Sequence, residues 1–298
     1  MTHFVDRLLE AVERKRSHVV LGLDPDYPLL PPEVRHKHEA LDYEDDLEMR
    51  AAAYREFIFR LLCDLTDEAV AVKPQLAFYE ALGSRGYALY EEVVATASSL
   101  GYLVIADAKR GDIGSSAEAY AAAHLDVAGA DAITVNPWFG TDGLEPFLAR
   151  ARTQGKGLFV LVKTSNPSST EIQDEVLSSG RRVYEHVAGL LSGWAVGTEG
   201  TRGYASVGAV VGATHPAQAA ELRAALPGIP FLIPGYGAQG ASAADLAHAF
   251  DGAGTGSVVN SSRAILYAYR SGPGDWAAAA KAEAAAMRAA LWRAAGRG

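Results

Sequence analysis

Cysteine is almost missing from this chain. One residue, Cys63, stands among 298, so no intrachain disulfide can form and a reducing compartment is expected. Paired-cysteine metal sites are excluded with it. Cys63 falls in the apolar helical stretch 57–65, where core packing is its expected role. An excess of basic charge is also missing. Lys and Arg number 27 against 36 Asp and Glu, a net charge of −9. That argues against non-specific binding to nucleic acid or to anionic membranes, though not against a local basic pocket. No apolar run approaches the roughly 20 residues of a membrane-spanning helix. No charged-then-apolar leader opens the chain, and a cytoplasmic location is expected. The eight histidines are scattered, and neither a Ser-His-Asp set nor a first-strand dinucleotide fingerprint is apparent.

What is present suits a soluble protein with a sizeable core: 49% apolar and 21% charged residues. The densest chemistry lies in Leu103–Gly114, LVIADAKRGDIG. Its apolar opening, Leu103–Ala106, reads as a buried parallel strand. Asp107 and Lys109 follow two apart, so regular alternation points them to one face. Asp112 comes three residues later, on a turn loosened by Gly111 and Gly114. Two acids and a base within six residues read either as a strand-end ion pair or as a reacting array.

Along the chain, strand-like runs begin near residues 18, 69, 103, 131, 157, 205, 230 and 256. Helical patterns alternate with them, and an extra helix, 4–16, precedes the first strand. Eight βα units in this length predict an α/β fold, a (β/α)8 TIM barrel with an extra N-terminal helix, as a single domain over 1–298. Residues 27–38 read as irregular, 41–65 as a helix, 115–128 as a helix, 174–194 as one long helix and 242–250 as another. The last helix, 276–295, reads as a surface helix.

In a barrel the ligand site lies at the C-terminal strand ends. Polar residues gather there: Asp24, Lys73, Asp107, Lys109, Asn136, the run Lys163–Asn166, and the run Asn260–Arg263. The seventh strand leads into GYGAQG, 235–240. A glycine-rich loop there and a helix start after strand eight form the usual barrel phosphate site. Arg263 and Gln239 would add side-chain donors. Taken alone, the loop reads equally as a tight turn beside a solvated arginine. Alternating lysines and carboxylates hold one another charged. They can deliver a proton from lysine to carbon while a carboxylate stands against a substrate anion. His215, before Pro216, reads as a helix start.

These motifs carry a resemblance. LGLDP (21–25), KPQLAFYE (73–80), DAKRGDIG (107–114), KTSNPSS (163–169), PGYGAQG (234–240) and NSSRAI (260–265) together resemble the orotidine 5′-phosphate decarboxylase family, in its bacterial DAKRGDIG subgroup. They cover nearly the whole barrel in order. The Asp-x-Lys-x-x-Asp element belongs to a wider superfamily, and Lys73 narrows it. The resemblance implies a cofactor-free and metal-free lyase of UMP biosynthesis. Lys109 would protonate C6 of the pyrimidine, Asp107 would face the substrate carboxylate, and Lys73 and Asp112 would complete a charged tetrad. Asp112 would come from the partner subunit of a homodimer, and Ser116 would reach the neighbouring site. Asp24 and Lys73 would contact the ribose, and Ser165 the pyrimidine. Gln239, Arg263 and backbone N–H groups near Gly237 and Ser262 would hold the phosphate. The segment 28–46, the loop 166–175 and the C-terminal extension are longer than in compact relatives.

Two other readings stay open. A metal-dependent phosphosugar lyase of the same superfamily would present a carboxylate where Lys73 stands, and a cation there repels a metal. A silent binder of phosphoribosyl ligands would have no need of the charged array.

Overall fold

In a computed structural model describing residues 2–237 and 240–298, parallel strands close into a barrel in simple chain order. They are β1 (Val19–Leu23), β2 (Ala71–Pro74), β3 (Leu103–Arg110), β4 (Ala132–Val135), β5 (Gly157–Lys163), β6 (Val207–Val211), β7 (Phe231–Pro234) and β8 (Ser257–Ser261). β1 pairs with both β2 and β8, which closes the ring. The strands are short, apolar and buried because side chains fill the inside while helices cover the outside. This is the (β/α)8 architecture read from the alternation of patterns.

The extra helix has a definite task. Phe4–Lys15 turns Phe4, Leu8, Ala11 and Val12 onto the interior residues Val20, Ala71, Ile105, Phe159 and Val258. Phe4 meets Phe159 edge to face, with ring centroids 5.9 Å apart. A Cβ on Gly157 would fall 2.3 Å from the Phe4 ring, so only glycine admits this approach. The helix therefore stoppers the N-terminal end of the barrel, and the interior opens at the other end.

Several local expectations are corrected. Residues 27–38 are not irregular: a 3-10 turn, Tyr27–Leu29, leads into a helix, Pro32–Glu39, with proline at its first turn. The next helix runs Asp46–Asp64 rather than from 41, because the Asp45 carboxylate caps it by accepting from the Glu48 N–H at 2.9 Å. The early acids belong to the cap and first turn. Cys63 lies on the exposed face of that helix, not in the core. The stretch 115–128 is an α-helix, Gly114–Ala121, followed by a π segment, Ala122–Val127. The long helix expected over 174–194 starts only at Val183. Ser178-Ser179-Gly180 makes a reversal first, with Gly180 at φ 79° and Val183 N–H donating to Glu175 O at 3.0 Å. Residues 244–249 form a 3-10 helix instead of an α-helix. Among the described residues, no helix is long and apolar enough to cross a membrane.

His18, at the start of β1, is fully buried between Phe250 and Trp292, and its Nδ1 lies 3.0 Å from Ser257 O. Burial pulls its pKa from 6.5 down to about 4. An imidazole that resists protonation only when folded stabilises the fold fully above pH 6.5 and loses that contribution as the pH falls toward 4. Urea unfolding at pH 6.5 and pH 5 should therefore differ by up to about 2 kcal/mol from this group. His18→Phe should flatten the slope, and an unchanged slope would locate the acid sensitivity elsewhere.

Candidate active site

The open end of the barrel holds a cavity of about 400 Å3. Its centre is one carboxylate. Asp107, near the end of β3, is 5% exposed, and each oxygen accepts from two donors. Lys73 Nζ (2.5 Å) and Gln75 Nε2 (3.0 Å) reach Oδ2. Lys109 Nζ (2.5 Å) and Thr134 Oγ1 (2.9 Å) reach Oδ1. β2 supplies Lys73, β3 supplies Asp107 and Lys109, and β4 supplies Thr134, so three neighbouring strand ends converge on one group.

The charges follow from this packing. Burial would raise the Asp107 carboxyl, but Lys73 and Lys109 outweigh it and hold it well below the usual carboxylate range. Burial likewise pulls Lys73 down, and Asp107 and Asp24 reverse the sign, so its pKa lies above the ordinary lysine value. Lys73 is 4% exposed. A buried ion pair adds little net stability after desolvation, which makes a structural purpose a weak explanation for this one.

Around the array, Asp24 follows β1 and lines the cavity, its Oδ1 buried with no hydrogen-bond partner among the described residues. Asn260 Oδ1 on β8 is similarly unpartnered, while its Nδ2 donates to Ser262 Oγ at 3.3 Å. The Tyr79 phenol, also unpartnered, is lifted well above its ordinary pKa by burial and by Asp24. The orphaned oxygens of Asp24 and Asn260, which line the cavity, suit a polar ligand. Gly22 allows β8 to come close, since a Cβ there would sit 1.9 Å from Ser262 Oγ. Ser165, Asn166, Tyr236, Ser262 and Arg263 also stand on its wall.

Asp24, Lys73, Asp107, Lys109, Ser165, Ser262 and Arg263 thus share one cavity, as their positions at strand ends led us to expect. Asp112 does not line it; it lies on the turn after β3, where Oδ1 accepts from the Ile113 N–H at 2.8 Å. Ser116 is exposed on the helix Gly114–Ala121. Gly237, at φ 70°, donates its N–H to Ala241 O at 3.0 Å. Gln239 lies outside the described residues. Asn136 accepts from the Trp138 N–H and caps a short turn beside the mouth. Lys163 is fully buried away from the cavity, bonded to Asp174 at 2.7 Å, and so ties down the β5 loop that carries Ser165.

Two residues were missed. Gln75 stands two after Lys73 on the same strand line, and Thr134 is a lone hydroxyl in the apolar run Ala132–Val135. A polar residue inside a doubly buried strand is the signal that could have found Thr134. Among the described residues, no group of three or more His, Cys, Asp or Glu is placed to hold a metal ion.

Fold and cavity define a (β/α)8-barrel protein whose mouth carries a buried lysine–carboxylate array with an arginine on the same wall. The chain belongs to the orotidine 5′-phosphate decarboxylase / HUMPS family, whose family model matches residues 18–279. It is 42% identical over 277 residues to the orotidine 5′-phosphate decarboxylase of Rhodopirellula baltica, covering 91% of this chain and 90% of that one. It is 43% identical over 269 residues to that of Deinococcus radiodurans, covering 89% of each. Among solved structures, a putative orotidine 5′-phosphate decarboxylase from Streptomyces avermitilis superposes with a TM-score of 0.80 at 34% identity, covering 99% of this chain and 97% of that one.

Proposed function

We propose that this protein is an enzyme that decarboxylates orotidine 5′-phosphate to UMP, the last step of pyrimidine nucleotide synthesis, with no cofactor or metal. The carrying observation is the buried carboxylate of Asp107, held between the ammonium groups of Lys73 and Lys109 at the mouth of the barrel. In the reaction the bond from C6 to the carboxylate breaks and CO2 leaves. The electron pair remains on C6, and Lys109 supplies the proton that forms the new C6–H bond. Asp107, held charged, faces the substrate carboxylate, and the crowding of the two anions is relieved as CO2 departs. Lys73 holds Asp107 in its charged form and, with Asp24, contacts the ribose hydroxyls. Ser165 hydrogen-bonds the pyrimidine. Arg263 and Gln239, with N–H groups near Gly237 and Ser262, take the phosphate.

Asp112 and Ser116 act across a homodimer interface in this reading. Asp112 lies outside its own cavity and beside exposed apolar side chains: Ile113, Trp138 and Phe139 are 56%, 74% and 45% exposed. A second copy would cover them. In this reading one domain over 1–298 carries the whole activity, and the run Asp107–Gly114 is what supports membership of the bacterial DAKRGDIG subgroup.

The deciding experiment follows the fall in ultraviolet absorbance of orotidine 5′-phosphate with the protein and EDTA. Loss of absorbance with formation of UMP supports the reading. No turnover by folded protein, with activity on a phosphosugar once Mg2+ is supplied, would favour the metal-dependent relatives instead. Arg263→Ala should weaken UMP binding by about 10- to 100-fold, the worth of a charged hydrogen bond, and leave uridine binding unchanged. Equal losses for both ligands, measured by calorimetry, would overturn the phosphate assignment.

A further inference from the structure

The β3–β4 pairing contains an irregularity at the most charged point of the cavity. Ala106 is opposite Ile133 and Arg110 is opposite Val135, so three residues of β3, Asp107 to Lys109, face the single residue Thr134. The extra chain is absorbed by a bulge, and Lys109 takes φ 47°, a left-handed conformation that a lysine rarely adopts. A backbone displaced in this way has lost its regular ladder partner. The Thr134 side chain replaces it: Lys109 N–H donates to Thr134 Oγ1 at 3.0 Å. Thr134 is 1% exposed.

That contact also settles the direction of the hydroxyl proton. A backbone N–H can only donate, so Thr134 Oγ1 accepts from it and its own proton is free to go elsewhere. The ionised Asp107 carboxylate can only accept, and its Oδ1 lies 2.9 Å away. One hydroxyl thereby joins the backbone of Lys109 to the carboxylate of Asp107.

We infer that Thr134 is a positioning residue for the decarboxylation proposed above, on which this inference rests: its hydroxyl locks the Lys109 backbone turn to the Asp107 carboxylate. The lock keeps the Lys109 ammonium and the charged oxygen in register before substrate arrives, and Thr134 itself neither gives nor takes a proton in the reaction. Side-chain placement of this kind acts on the rate of the chemical step more than on substrate affinity, since phosphate and ribose contacts lie elsewhere in the cavity.

The test compares Thr134→Val, Thr134→Ala and Thr134→Ser. Valine keeps the volume without the hydroxyl, and serine keeps the hydroxyl at nearly the volume of alanine. Val and Ala variants are expected to lose about 10- to 100-fold in kcat, the worth of a hydrogen bond to a charged group, with KM within about threefold of wild type. Serine should recover most of the rate. Wild-type kcat in either apolar variant, or serine no better than alanine, would overturn the proposal; should the valine variant fail to fold, alanine against serine decides by the same criterion. Hydrogen exchange at the Lys109 amide is an independent readout. It should accelerate at least about tenfold in Thr134→Ala and be restored in Thr134→Ser. If the wild-type protein does not turn over orotidine 5′-phosphate, the reading of the site fails, while the exchange result still judges the lock: an unchanged amide would refute it.

Discussion

Lys109→Ala is expected to lower kcat for decarboxylation by about 10⁴-fold or more, the scale of losing a positioned general acid together with the charge that pairs with the reacting centre. The fold should survive. The Lys109 side chain is 45% exposed, so its truncation leaves no large cavity, and Asp107 keeps Lys73, Gln75 and Thr134 as donors. Alanine at φ 47° inherits the strain that lysine already bears, so the backbone term changes little. Product affinity should also persist, because Asp24, Ser165 and Arg263 are untouched. The measurement is kcat with UMP affinity and thermal midpoint taken alongside. A variant that turns over at the wild-type rate would mean another group protonates C6. A variant that is slow but also fails to bind UMP would mean that Lys109 organises the cavity rather than supplying the proton.

Mixing two inactive variants should restore activity. Lys73→Ala removes a group each subunit keeps for its own cavity, and Asp112→Ala removes one that the proposed dimer lends to its neighbour. In a mixed dimer one cavity lacks both groups and the other lacks neither. Random pairing makes half the dimers mixed, so about a quarter of wild-type activity should return after subunit exchange. Each variant alone should remain inactive. If exchange is complete by a tagged-subunit assay and no activity returns, the cavities are self-contained and Asp112 has a local role. The geometry motivating the test is simple: Asp112 bonds to its own neighbour Ile113 and leaves Lys73 and Lys109 to Asp107.

Periodicity made the barrel legible. Short apolar runs alternating with helical patterns have few alternatives once there are eight of them. Polar residues confined to one end of those runs marked the mouth. Asp107 and Lys109 do meet, as expected, but not by regular alternation: a bulge and a left-handed lysine bring them together. Less legible were the segments where local bonding competes with periodicity. Residues 174–182 have a composition compatible with helix, yet Gly180 reverses the chain and Lys163 draws Asp174 inward. Cys63 sits in an apolar stretch, but the helix turns that position outward.

The architecture, the open end and the identity of the charged groups are readable from the chain alone, because each depends on residue type and spacing within one short element. Packing between strands fixed how those groups are paired. It placed Thr134 and Gln75 on Asp107, sent Lys163 away from the cavity, and left Asp112 outside it. These outcomes depend on how β2, β3, β4 and β5 are staggered against one another, and stagger is set by packing between elements distant in the chain. The bulge in β3 shows the reason most directly: three residues oppose one, and a hydroxyl on the next strand takes a bond that the ladder no longer makes.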